Sequence, residues 1–222
     1  PFTVPVLPSG EQKVTLEAGI KENGQNMFRT KYPFVTSYIK DTLLPPADTL
    51  NLTPEFEYIE ANVPFYEDFE DLGTGFEMTE ASDTSLETME DSNSLTGKYG
   101  YAALDNSRPN FDCRTSELYD LPKDKKSFVE FDYKCNENLT AGVFAKEYND
   151  GVFTDVRYSV IVLFPSEDWN KVYINLTEIV AQTTKATEYR LYFSASKGEG
   201  ENGTESDEIG EIFLDNIKLI HH

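Results

Sequence analysis

Phe128-Val-Glu-Phe-Asp-Tyr-Lys-Cys135 decides the fold class. Val129, Phe131, Tyr133 and Cys135 fall on one side of an extended chain, and Glu130, Asp132 and Lys134 on the other. Side chains of a strand alternate between faces, so this stretch is a strand with one face in a core. The period recurs in Tyr99 to Leu104, Leu139 to Tyr148, Arg157 to Phe164, Lys171 to Leu176, Tyr189 to Ala195 and Ile209 to Ile220. Upstream, Val14, Leu16, Ala18 and Ile20 alternate with Lys13, Thr15, Glu17 and Gly19 before the turn signal Glu22-Asn23-Gly24. Tyr32 to Ile39 and Leu50 to Ile59 read as two more strands, separated by Leu44-Pro45-Pro46-Ala47-Asp48. Convincing helical stripes are absent. The pattern changes at Ala61-Asn62-Val63-Pro64, which divides the chain into a small β domain, 1–62, Ig-like or related, and a larger all-β unit, 63–222. Successive short strands of this kind build a two-sheet sandwich or jelly roll. The acidic stretches Glu77 to Asn93 and Ser196 to Glu208 lack apolar periodicity and read as solvated loops.

The chain has 222 residues, with Lys+Arg 19 against Asp+Glu 40 and a net charge of -21. It also carries 15 Phe, 13 Tyr and 1 Trp. Disordered acidic tails are poor in aromatics, so this is a folded chain with an acidic surface. Such a surface repels phosphate backbones and anionic lipid, which argues against nucleic-acid and electrostatic membrane binding. The two histidines are the last two residues, His221 and His222, where a chain usually frays. Mechanisms needing a positioned imidazole therefore lack one. Cys113 and Cys135 allow two readings: a disulfide closing a loop of roughly 20 residues, worth about 3 kcal/mol in an oxidising setting, or two reduced, buried thiols. The longest apolar run, Tyr158 to Phe164, falls far short of the roughly 20 residues of a membrane helix. The chain begins at Pro1, without Met or a signal peptide, and reads as the mature form of an exported protein, monomeric, whose targeting segment is missing.

Four motifs carry a family resemblance. Asp68-Phe-Glu-Asp71 resembles the opening strand of carbohydrate-binding-module jelly rolls and of the related MAM-type adhesion domains. Thr96-Gly-Lys-Tyr-Gly-Tyr-Ala-Ala-Leu104 resembles their second strand, Asp168-Trp-Asn-Lys-Val-Tyr-Ile-Asn-Leu-Thr177 a central one, and Glu211-Ile-Phe-Leu-Asp-Asn-Ile-Lys-Leu219 the closing strand. The resemblance covers about residues 65 to 220 and implies a galactose-binding-like β-sandwich. The preceding residues resemble short β domains of surface lipoproteins in Bacteroides-type bacteria. That implies a lipid-anchored protein at the outer-membrane surface or in the periplasm, touching the membrane only through its missing anchor.

Asp215 is the most informative carboxylate. In Phe213-Leu-Asp-Asn-Ile-Lys-Leu219, strict alternation aims it at the apolar face with Phe213, Ile217 and Leu219. A buried unpaired carboxylate is costly, so it needs a cation, backbone donors or a bulge that turns it out. The resemblance implies a structural calcium joining the first and last strands, with Glu70, and less directly Asp68, as partners of Asp215. Calcium takes 6–8 oxygen ligands and needs neither His nor Cys. The alternative is a hydrogen-bonded strand-end Asp without metal.

Sugar binding needs apolar ring faces with polar groups around them. Trp169, Tyr99, Tyr101, Tyr148 and Tyr158 are aromatic candidates, but aromatics on sandwich strands are more often core, and Trp169 sits at a structural position of the family's strand. No sugar-contacting residue is assigned from the sequence. Catalysis would have to rest on paired carboxylates. Glu130-Phe-Asp132 begins the Glu-x-Asp motif of laminarinase-type jelly-roll glycosidases, yet Lys134 and Cys135 occupy the third carboxylate positions, and the pair reads as an outer, solvated face. The expectation is a non-catalytic exported protein binding a polysaccharide or oligosaccharide as an accessory to its capture. The alternative is a structural or adhesive envelope protein with protein partners; a carboxylate glycosidase ranks last.

Overall fold

The computed structural model describes residues 11–24, 28–43, 50–59, 61–198 and 207–222. The protein is all-β, a jelly-roll sandwich of two antiparallel sheets preceded by small β elements. The first four strands are β1 (Glu11–Leu16), β2 (Gly19–Ile20), β3 (Thr30–Lys31) and β4 (Tyr38–Leu43). Then follow β5 (Asn62–Glu67), β6 (Phe76–Met78), β7 (Glu87–Met89), β8 (Tyr99–Leu104), β9 (Asn110–Thr115) and β10 (Ser127–Cys135). The rest are β11 (Leu139–Asn149), β12 (Val152–Leu163), β13 (Ser166–Asn175), a short helix α1 (Thr177–Gln182), β14 (Ala186–Ser196) and β15 (Gly210–His221). The first sheet runs β13-β10-β15-β8-β7, with β5 also beside β15; the second runs β12-β11-β14-β9-β6.

The core lies between these sheets, where the inward face of β10 meets β14: Phe131 and Phe193 pack edge to face at 4.9 Å. Cys113 on β9 and Cys135 on β10 are buried free thiols, so the structure contains the second of the two cysteine readings and not the disulfide. Burial raises both thiols, Cys135 to about 11.

Several expected boundaries shift for identifiable reasons. Tyr32 to Ile39 is not one strand, since β4 begins only at Tyr38, and Leu50 to Ile59 forms no strand beyond the bridge of Tyr58 to Val35. The Pro45-Pro46 turn and residues 199–206 of the second acidic stretch lie outside the described residues. Within the first acidic stretch, Glu87–Met89 forms β7, and Leu86 is buried. β5 contains Pro64, which the sequence offers as a boundary; among the described residues β5 pairs only with β15, and an edge strand tolerates a proline on its open side.

The N-terminal elements pack on the outer face of the first sheet. Ile20, Tyr32 and Phe34 bury against Phe128 and Ile220, with Tyr173 alongside. Tyr32 meets Phe34, Phe128 and Tyr173 edge to face at 5.4, 5.8 and 4.9 Å. Glu22 bridges Tyr173 in parallel, and the Asn23 amide donates to the Tyr173 carbonyl at 2.9 Å, so this turn covers the open edge of β13. Two expectations are corrected here. Glu130 does lie on an outer face, but it is fully buried, because Tyr32 and Tyr58 cover it and donate their hydroxyls to its carboxylate. The terminal histidines are not frayed: His221 pairs with Asn62 and Ser127 across two strands and is buried, and the His222 ring lies 4.7 Å from Phe34.

Candidate functional site

A binding face must be open, and the two sheets differ in that respect. The first sheet is covered at one end by the N-terminal elements. At the other, Asp91 to Asn93 lie over its aromatics: Trp169 Nε1 donates to the Asn93 carbonyl at 2.7 Å, Tyr99 donates to Asp91 at 3.0 Å, and Lys134 donates to the Asn93 side chain at 3.0 Å. Trp169 and Tyr99 therefore hold the fold together, Tyr99 with its phenol pushed up to about 12 by burial and by Asp91. Tyr101 donates to Glu211 at 2.9 Å, and Tyr158 to Glu147 at 2.5 Å.

Between these covers lie the carboxylates of the calcium expectation. Asn216 adopts φ 51°, and the β10–β15 register slips between Glu130 and Asp132, so a bulge turns Asp215 out of the inter-sheet core. Asp215 is nevertheless buried; one oxygen accepts the Asn216 amide at 2.7 Å and Oδ2 has no partner. Burial, then Asp132, Asp68 and Glu70, raise its pKa to about 7 against the opposing Asn216 hydrogen bond. Glu70 accepts the Lys98 amide at 2.7 Å, and Asp68 accepts the Glu70 amide at 3.3 Å. Glu67, just before the Asp68-Phe-Glu-Asp71 motif, is buried and accepts the Phe69 and Gly75 amides at 2.8 and 2.6 Å. Among the described residues no three His, Cys, Asp or Glu side chains form a group that could hold a metal ion.

The outer face of the second sheet carries a different array, laid out by strand register. Tyr148 of β11 stands opposite Phe153 of β12. Lys146 follows, between Asp155 of β12 and Glu188 of β14, and then Phe144, between Arg157 and Arg190. The next row runs Ser159, Gly142, Tyr192, Arg114 and Glu77 across all five strands. At ~4.8 Å between strands this row spans roughly 19 Å.

Tyr148 and Phe153 are 51% and 53% exposed, their ring centroids 5.0 Å apart. Lys146 sits 5.3 Å over the Phe153 ring and pairs with Glu188 at 3.0 Å. Three of the chain's five arginines belong to this face. Arg114 pairs with Glu77 at 2.8 Å and Asp155 at 2.9 Å, Arg190 with Glu77 at 2.5 Å, and Arg157 with Asp112 at 2.7 Å. Arg157 also lies 4.7 Å from the ring centroids of both Phe144 and Tyr192. Gly142 makes that packing possible: a Cβ there would collide with the Tyr158 carbonyl and come within 2.8 Å of the Tyr192 ring.

Guanidinium and carboxylate groups held by one another present fixed, planar donors and acceptors, and exposed rings present apolar area. That combination suits a hydroxyl-rich ring. Of the five aromatic candidates named from the sequence, the structure puts only Tyr148 on this face. Phe144, Phe153, Tyr192 and the arginines were missed. Their signal was the alternation Phe153-x-Asp155-x-Arg157 opposite Phe144-x-Lys146-x-Tyr148.

No sequence profile of a known family matches the chain, and no curated protein matches it. Its fold is similar to that of solved structures. One is the family 11 carbohydrate-binding module of a Clostridium thermocellum cellulosomal cellulase, 16% identical over 75% of this chain and 97% of that one, with a TM-score of 0.49. A second is the CBM22-2 xylan-binding domain of Paenibacillus barcinonensis Xyn10C, 12% identical over 71% and 99% of the two chains, with a TM-score of 0.47. A third is the enzymatically active domain of bacteriophage CBA120 tailspike protein 4, 10% identical, with a TM-score of 0.48; the match covers 69% of this chain but 20% of the tailspike.

Proposed function

We propose that this is a non-catalytic, exported glycan-binding protein, and that the outer face of the second sheet is its binding surface. The observation that carries the proposal is the exposed Tyr148–Phe153 pair at the β11–β12 end of a ladder of charge-paired arginines. The rings supply stacking area, and the paired Arg, Lys, Glu and Asp side chains supply hydrogen bonds to ring hydroxyls. Charge pairing also supports the absence of catalysis on this face: Glu77, Asp112, Asp155 and Glu188 each hold a cation instead of standing as a free acid and base. The acidic surface supports an exported setting.

The test is a screen of plant, host and microbial polysaccharides, followed by isothermal titration of the hits. Saturable binding without release of reducing ends is expected. No binding across the panel overturns the reading, and hydrolysis of a bound glycan overturns its non-catalytic part.

A further inference from the structure

A strand at the edge of a sheet leaves every second N–H and C=O without a partner, and proteins guard such edges with short strands, proline, charge or a cover. The outer strands of this sandwich are guarded in these ways with one exception. β6 and β7 have three residues each, and β5 contains Pro64. Along β13, Asn23 donates its amide to the Tyr173 carbonyl and accepts the Asn175 amide on its side chain. β12 differs. It ends the second sheet, pairs only with β11 among the described residues, and runs for 12 residues without proline or lysine.

The hairpin turn determines which of its backbone groups are free. Asn149 and Val152 flank a two-residue turn and so exchange both hydrogen bonds. From there the β11–β12 register is unbroken to the pair Gly142–Ser159. Val152, Thr154, Val156 and Tyr158 therefore point their N–H and C=O groups at β11. Phe153, Asp155, Arg157 and Ser159 point theirs outward, where no other strand pairs with them among the described residues. The turn that covers β13 comes close to β12 beyond this stretch, at Ile161, whose Cδ1 lies 3.6 Å from where a Cβ on Gly24 would sit.

The free stretch is complementary to a second copy of itself. In an antiparallel pair centred on Val156, Asp155 faces Arg157 of the partner subunit, Phe153 faces the partner's Ser159, and Val156 faces its own copy. The outward-pointing residues then meet one another, which forms about eight new backbone hydrogen bonds. Asp155 and Arg157 are already held in position by Arg114 at 2.9 Å and Asp112 at 2.7 Å, and each gains a second opposite charge. Moving the centre by one residue sets Asp155 against Asp155 or Arg157 against Arg157, so charge selects this register. On the other face of the strand, Val152, 60% exposed, and Thr154 become covered.

We propose that the chain forms a two-fold homodimer by antiparallel pairing of β12 with β12 of a second copy, joining two five-stranded sheets into one of ten strands. A single strand pair buries little surface, so the dimer is reversible. It replaces the monomer expected from the sequence and does not depend on what the outer face binds.

The test is sedimentation of the full chain from micromolar to millimolar concentration at ~0.15 M salt, which screens the like net charges beyond ~8 Å. A concentration-dependent dimer is expected. Val156→Lys sets two like charges face to face on the axis and should weaken the dimer at least about tenfold. Thr154→Lys, at an exposed neighbour, should act in the same direction and serves if Val156→Lys does not fold. Val156→Cys should cross-link into a dimer on oxidation with diamide, because facing residues of an antiparallel pair lie within disulfide reach. Thr154→Cys, roughly 13 Å from its own copy, should not; Cys113 and Cys135 are buried. A monomer at every concentration, folded lysine variants that associate like the parent, or cross-linking as efficient through Thr154→Cys as through Val156→Cys would each overturn the proposal. None of these variants alters Tyr148, Phe153 or the arginines, so failure of pairing and failure of glycan binding are told apart.

Discussion

Asp215 owes its position to Asn216, whose left-handed backbone inserts one extra residue against β10. Asparagine tolerates that conformation far better than a branched residue. The bulge inverts the phase of β15: Phe213 and Asp215 face outward while Ile217 and Leu219 face the core. The sequence alone posed the choice between cation, backbone donor and bulge, because alternation cannot show where a register slips. With its pKa raised to about 7, Asp215 favours the fold as a neutral acid. That stability is fully present below the ordinary carboxylate value of roughly 3.9 and is lost as pH rises through about 7. Asp215→Asn should therefore raise the melting temperature at pH ~8, with the gain, of order 2–4 kcal/mol, shrinking toward pH ~4. A variant that melts lower than the parent in calcium, with the difference removed by a chelator, would instead put a cation on Asp215 Oδ2. Glu130 makes a second prediction. Tyr58→Phe removes a donor from a fully buried carboxylate and should cost about 1–3 kcal/mol in a denaturant melt. Period two assigned Glu130 to the outer face, but it is blind to the N-terminal residues that cover that face.

At the scale of elements, the β11–β12 hairpin builds the exposed end of the proposed binding face. Asp150 and Gly151 both take positive φ, 48° and 88°, as a two-residue hairpin turn requires. That turn sets Tyr148 opposite Phe153. The Asp-Gly signal stands in the sequence, yet the strand after it was expected to begin only at Arg157. Its first residues, Val152 to Asp155, are exposed and polar-flanked and look like loop. β9 is hard to read in the sequence for a similar reason, being short and carrying Asn110, Asp112 and Arg114 outward. The long apolar strands β10, β11 and β14 are legible because burial on the core side enforces alternation, and β15 is legible from its apolar length although the bulge at Asn216 inverts its phase. Gly142 lies at the β11–β12 register slip, where backbone and ring both approach. Gly142→Ala should destabilise by roughly 1–3 kcal/mol and displace Tyr192; an unchanged melting temperature would show that the face can accommodate the methyl group.

For the whole molecule, the division of labour between sheets follows from what covers them. The first sheet is closed by the N-terminal elements and by Asp91 to Asn93, which consigns Trp169, Tyr99 and the Glu130–Asp132 pair to structure. The second sheet is exposed at its β11–β12 end and holds a balanced ladder of charges in a chain of net charge -21. Composition announced the acidity but not this local balance, which depends on which strands become neighbours. The most direct test of glycan binding at this face is calorimetric titration of the best ligand from the polysaccharide screen. The parent should be compared with a Tyr148→Ala, Phe153→Ala double variant shown by melting to be folded. Binding by the parent and a loss of at least about tenfold in the variant is the predicted result; equal binding by the two proteins would contradict it.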